Sequence, residues 1–167
     1  MMDKRLLYQT VFTVLLTLFM VSCGASKTAG IGTPVAINGL EVTVNNVHIE
    51  DELVTEDGIQ KPPEATTIFV VDSRLRVLDN EQEAEINLGE IAVQGENDEL
   101  LYALRGFGSS DPGEPIWLEN SFGGFTVTLD PGDDLEVSLV FLINNDAIDQ
   151  TFTLQFPDLE PILLSSE

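Results

Sequence analysis

Period-two alternation dominates the chain from Leu40 onward. Leu40, Val42 and Val44 alternate with Glu41 and Thr43. The apolar phase slips by one at Asn45-Asn46 and resumes at Val47 and Ile49, the signature of a β-bulge. Phe69, Val71, Leu75 and Val77 form one face of a long strand, with Asp72, Arg74 and Arg76 on the other. Ile86 and Leu88, then Ile91 and Val93, predict a strand broken near Gly89. Leu100 to Leu104 reads as a short strand, and Phe125, Val127 and Leu129 as another. Leu135, Val137, Leu139, Phe141 and Ile143 alternate most cleanly, and Phe152, Leu154 and Phe156 follow. Alternation of this kind marks strands with one buried face. No segment in this region has the 3.6-residue spacing of a helix.

The connections agree. Asp130-Pro131-Gly132-Asp133 meets the demand of a type II turn and predicts a hairpin joining the strands on either side. Glu50 to Ala65 reads as a long acidic loop containing Pro62-Pro63, and Arg105 to Gly124 as a second loop, rich in Gly and Pro. About seven strands with turns between them predict an all-β fold, an antiparallel β-sandwich.

The first 22 residues break this pattern. Lys4 and Arg5 precede an apolar run, Val11 to Val21, that ends in small residues at Ser22-Cys23-Gly24. This is the layout of a secretory signal peptide. The run falls short of the ~20 apolar residues that a membrane-spanning helix needs. Met20-Val21-Ser22-Cys23 resembles a bacterial lipobox, with Met20 where leucine is usual. The resemblance implies cleavage before Cys23, diacylation of its sulfur (palmitate-type chains) and frequent acylation of the new amino group. Two or three chains give stable anchoring, which one chain does not. Gly24 in place of Asp implies the outer membrane in a double-membrane bacterium. The expected organisation is a signal peptide over 1–22, a flexible tether over 23–30 and a β-sandwich domain over 31–164.

Removal of residues 1–22 leaves 145 residues, one domain's worth, with 5 basic and 28 acidic side chains and a net charge of −23. That charge argues against nucleic acid as a partner and against docking flat on anionic lipid. General solubility and adaptation to salt each account for it more readily than a dedicated cation-binding role does. Cys23 is the only cysteine. Once it is lipidated, no disulfide, thiolate metal site or cysteine nucleophile remains.

The sandwich also resembles an uncharacterised family of extracytoplasmic immunoglobulin-like domains found in bacterial lipoproteins and related in fold to a small secreted mycobacterial antigen. Ile31-Gly32-Thr33-Pro34-Val35 with Leu40 to Val44, Phe69-Val70-Val71-Asp72, Leu129-Asp130-Pro131-Gly132 and Phe152 to Phe156 carry the likeness. The resemblance implies an immunoglobulin-like sandwich and brings no catalytic residues with it.

Candidate chemistry is sparse. His48 is the only histidine, no Gly-x-Ser-x-Gly elbow is present, and Ser109-Ser110 sits in a loop, so no triad is assigned and the chain is not read as an enzyme. One histidine and no free thiol disfavour zinc. No cofactor or metal site is assigned. Calcium on acidic loops, drawn from Asp51, Glu52, Asp57, Asp98 and Asp146, is the alternative to a partner-binding role. Trp117 and Phe122, with Phe107 and Ile116, are the candidate recognition surface, although a lid folded back onto the sandwich end is the favoured reading of this loop. The reading that results is a lipid-anchored binding or structural module at the bacterial cell envelope, contacting an envelope protein or extracellular ligand.

Overall fold

The computed structural model describes residues 29–79, 82–96, 101–111 and 113–165. The predicted signal peptide, Cys23 and most of the predicted tether lie outside them.

The chain is an all-β antiparallel sandwich. Thirteen strand segments occur among the described residues: β1 Val35–Ile37, β2 Leu40–Glu50, β3 Leu53–Thr55, β4 Gly58–Gln60, β5 Thr66–Val77, β6 Ala84–Asn87, β7 Ala92–Gly95, β8 Leu101–Ser109, β9 Trp117–Leu118, β10 Thr126–Leu129, β11 Asp134–Asn144, β12 Phe152–Gln155 and β13 Ile162–Leu164. Two 3-10 turns, Leu88–Glu90 and Asn145–Ala147, are the only helical pieces in these segments. The count exceeds seven because bulges and turns divide several of the long alternating stretches, and because the two long loops contain short strands of their own.

Hydrogen bonds run in the order β1-β2-β5-β11-β8-β7-β12-β13, with β9 on the side of β8. The second half of β8 pairs β11 and its first half pairs β7, with a bulge at Arg105 between them. One strand therefore serves both layers, and the path folds over on itself. At the opposite edge the incoming chain stitches the layers together. Leu163 donates its N–H to the Ala29 carbonyl, and Gly32 donates to Val44, both at 2.7 Å.

The faces predicted by alternation are observed along most of each strand, but Ile49, Phe125 and Leu135, predicted on inward faces, are exposed at strand ends. Val42, Val44, Val71, Leu75, Val137, Leu139, Phe141 and Ile143 point between the layers with Val93, Leu154 and Ile162. Phe69 and Phe152 pack ring to ring at 4.9 Å across this core. The Asn45 bulge is present, between Val44 opposite Ser73 and Asn46 opposite Asp72. The break at Gly89 is present too. A Cβ there would lie 2.8 Å from the Phe122 carbonyl oxygen and 2.9 Å from Gly123 Cα, so only glycine fits.

Besides the β3–β4 hairpin found inside the predicted Glu50–Ala65 loop, two expectations fail. The Asp130–Asp133 turn forms, with Gly132 at φ 90° and the Asp133 N–H on the Asp130 carbonyl. It does not close a hairpin. β10 pairs β6, whereas β11 pairs β5 and β8. A turn fixes where the chain reverses, not which edge receives its ladder. Here Gly132 donates to Val77 and Val77 donates to Asp133, so the turn caps β5 instead. The second failure concerns Arg105 to Gly124, which is not a loop throughout. Arg105 to Ser109 complete β8, and Trp117–Leu118 form β9. Glycines at 106 and 108 looked like loop residues because they carry no strand signal of their own.

Ser73 is fully buried on the core face of β5, and its hydroxyl has no hydrogen-bond partner among the described residues. Ser73→Ala should therefore raise unfolding stability by about 1 kcal/mol. Phe141→Ala, in the same core, should lower it by about 3–5 kcal/mol. Denaturant titration of both variants checks the pair, and a loss of stability in Ser73→Ala would show that the hydroxyl is satisfied.

Candidate functional site

The outer face of the β2-β5-β11 sheet carries the functional candidates. Ile68, Val70 and Val140 point outward there and form a second, smaller apolar cluster with Leu53 and Ile116. Two segments cover it. One is the β3–β4 hairpin, which occupies the predicted acidic loop, and the other is the stretch from Ile116 to Leu118. They meet where the Ile116 N–H donates to the Val54 carbonyl at 2.9 Å. The covering is close because β8 has glycine beneath it. A Cβ on Gly106 would lie 2.7 Å from Leu118 Cδ2 and 2.9 Å from Ile116 Cγ2.

The aromatic candidates separate. Phe122 is 2% exposed and belongs to the main core, and Ile116 is buried in the smaller one. Phe107 is half-buried against the main core. Trp117 stays 37% exposed and Phe125 38%. The Trp117 ring stands edge-on to Phe122 and Phe125, each centroid 5.0 Å away, and Phe122 and Phe125 lie 5.8 Å apart. Such edge-to-face packing fixes the rings. Phe122 thus braces two aromatics that remain partly exposed. Phe125 was read only as a strand residue. Its spacing in Phe122-Gly123-Gly124-Phe125 is the signal that could have paired it with Phe122, since Gly124 at φ 84° turns the chain back.

His48 lies on the outer face because the Asn45 bulge shifts the register by one and sets it opposite Val70. Its Nε2 is 3.2 Å from Glu50 Oε1 and its Nδ1 is 3.4 Å from Asp72 Oδ2. The Ser138 hydroxyl donates to Asp72 Oδ1 at 2.7 Å. Serine, aspartate and histidine are adjacent, but in the wrong order for nucleophile activation. The serine proton is committed to the aspartate, where a triad needs it directed at the imidazole. The Ser109 Oγ instead accepts from the Asp111 N–H. These groups line a cleft that also carries Glu52 and Glu114.

The acidic residues considered for calcium are scattered. Asp51 and Glu52 precede β3, Asp57 sits in the β3–β4 turn and Asp146 in the second 3-10 turn. Asp98 is outside the described residues. Among the described residues no three His, Cys, Asp or Glu side chains group as metal ligands.

Further along the same face, Arg74 grips Asp134 with two hydrogen bonds, Nε to Oδ1 at 2.6 Å and Nη2 to Oδ2 at 2.5 Å. The hydrogen bond from Arg74, with its charge, holds the Asp134 carboxyl below the ordinary carboxylate range, and the same hydrogen bond raises Arg74. A depressed carboxylate contributes stability that is full above its unfolded pKa and is lost as pH falls through the folded one. Both groups are exposed, so the contribution is small.

No protein-family model matches the sequence, and no curated protein matches it. Solved structures do match in fold. An uncharacterised β-sandwich protein from Clostridium difficile 630 superposes with a TM-score of 0.56 at 14% identity, over 84% of this chain and 95% of that one. A conserved hypothetical protein from Bacillus anthracis gives a TM-score of 0.51 at 21% identity, over 81% and 95%. The secreted protein MPT63 of Mycobacterium tuberculosis gives 0.51 at 8% identity, over 85% and 100%. At these identities the likeness is one of fold. The mycobacterial match agrees with the fold that the sequence resemblance implied.

Two predictions follow from the geometry. Phe122→Ala should destabilise by about 3–5 kcal/mol, whereas Trp117→Ala and Phe125→Ala, whose rings are partly exposed, should each cost less, about 1–3 kcal/mol for two lost edge-to-face contacts. Thermal unfolding compares the three, and equal losses would make Trp117 part of the core. In an NMR titration the Asp134 carboxyl should titrate at lower pH in the native protein than in Arg74→Gln, and coincident midpoints would show that the pair is not formed in solution.

Proposed function

We propose that the chain is a lipid-anchored, extracytoplasmic binding module of the bacterial cell envelope that holds a partner protein against Trp117 and Phe125. The observation that carries this reading is the pair of exposed rings braced by the buried Phe122. Aromatic residues are enriched among the side chains that dominate protein interfaces. They contribute most when they are already ordered, because binding then freezes few rotamers. The sandwich beneath supplies that rigidity.

Location rests on the sequence. The basic start, the short apolar run and the lipobox-like Met20 to Cys23 support export and acylation, and the secreted status of MPT63 is consistent with them. No helix among the described residues is long and apolar enough to cross a membrane. Lipid on Cys23 would then be the anchor. Pairing of the domain begins by Ala29, so five residues, or six Cα–Cα steps, separate it from Cys23. An extended tether of that length spans about 20 Å, which keeps the module next to the bilayer.

Two measurements test the proposal. Intact mass of the protein from its native membrane should show loss of residues 1–22 and the gain of acyl chains, and Cys23→Ser should abolish both. An unacylated mass would remove the anchor. A photo-crosslinker placed at position 125 in intact cells should give one discrete adduct, lost in Trp117→Ala while the melting transition is retained. Adducts that persist unchanged in Trp117→Ala would exclude this surface as the contact.

A further inference from the structure

The outer face carries two clefts of opposite character that share Leu53 and Val140 as a common wall. The cleft beside His48 carries the carboxylates of Glu50, Glu52, Asp72, Asp111 and Glu114 and no lysine or arginine. The other, of ≈ 460 Å³, carries Lys61 and Arg105 and a single carboxylate, Glu119. That volume lies within the about 300–1,000 Å³ usual for small-ligand sites. Basic side chains are scarce in this protein. Four occur among the described residues, namely Lys61, Arg74, Arg76 and Arg105. Arg74 is paired with Asp134, and Arg76 also acts on the Asp134 charge. Lys61 and Arg105 make no ion pair among the described residues, although Glu119 lines the same cleft.

The floor between these two cations is apolar. Ile68 and Val140 are buried in it, and Leu118 and Leu142 are half-buried on its surface. Arg105 sits at the β8 bulge, where its guanidinium donates to the Asn120 carbonyl and its own carbonyl accepts from the Glu119 N–H. Its charge is therefore held in place. The facing rim is Pro62-Pro63, which has no N–H to offer, and the Pro63 carbonyl already accepts from Thr66. An added peptide strand would find no donor there. What this rim can recognise is charge, and what the floor can recognise is hydrocarbon.

We propose that this cleft binds a single-chain anionic amphiphile, its carboxylate or phosphate head between Lys61 and Arg105 and its alkyl chain along Leu118 and Leu142. Unpaired cations above an apolar floor, in a chain otherwise so acidic, are complementary to that chemistry and repel cationic competitors.

The test is calorimetric titration of the purified protein with decanoate, decyl phosphate and decanol, each below its micellar concentration. One or both anions should bind saturably, and decanol should bind at least about tenfold more weakly, the effect of a charge pair worth roughly one decade. The tighter anion identifies the head group. Affinity should rise steeply from octanoate to dodecanoate as methylenes leave water, and fall with added salt. Lys61→Glu, at an exposed position without an ion pair, should keep the melting midpoint and abolish anion binding. Equal affinity for decanol, or anion binding unchanged in Lys61→Glu, would overturn the proposal. So would a peptide with a free apolar C-terminus that binds more tightly than decanoate, because the cleft would then be a protein-docking site.

Discussion

The structure depends on β5. It is the longest strand among the described residues, paired from Thr66 to Arg76 with β11 on one side and from Ile68 to Val77 with β2 on the other. Its inward residues Phe69, Val71, Leu75 and Val77 sit at the centre of the main core, and its outward residues Ile68 and Val70 floor the smaller one. A strand with both faces covered can be apolar on both, and this is why Ile68-Phe69-Val70-Val71 runs without alternation before Asp72 restores it. The change from apolar to charged on the outer face marks where the covering segments stop.

That boundary organises the surface. Below it, the β3–β4 hairpin and the Ile116–Leu118 stretch are held on the sheet by Val140 and by the glycines of β8. Above it, Asp72, Arg74, Asp134, Glu136 and Ser138 form a solvated polar network. Both clefts open at the margin of the covering layer. The aromatic pair Trp117 and Phe125 emerges beside it, braced by Phe122 from the main core. Each proposed contact surface is thus built where a short irregular segment crosses a rigid sheet. Sandwich folds commonly carry recognition in this way, since the sheet tolerates variation in what lies over it.

Much of this was legible beforehand. Which residues face the core in β2, β5, β11 and β12, the Asn45 bulge and the Gly89 break all follow from side-chain period, a local property that burial enforces one strand at a time. The type II turn at Asp130–Gly132 follows from proline and glycine chemistry. Strand partners did not follow. The turn suggested a β10–β11 hairpin, yet β10 joins β6 and β11 joins β5, because ladder donors and acceptors are the same on every strand and carry no address. Gly106 and Gly108 resembled a loop because their role, a close approach by Ile116 and Leu118, involves residues ten positions away.

The sequence by itself determined the all-β class, the inward faces, the acidic surface and the signal-like leader with Cys23, since composition and short-range period encode each of these. Only the tertiary structure decided that Phe122 is core while Trp117 and Phe125 stay partly exposed. It alone placed His48 between Glu50 and Asp72, and Lys61 with Arg105 on one apolar cleft. The physical reason is distance along the chain. A residue's own face is set by its neighbours two positions away, but its companions at a surface are set by which strands pair and which segments cross them, and those contacts form only when the whole sandwich closes.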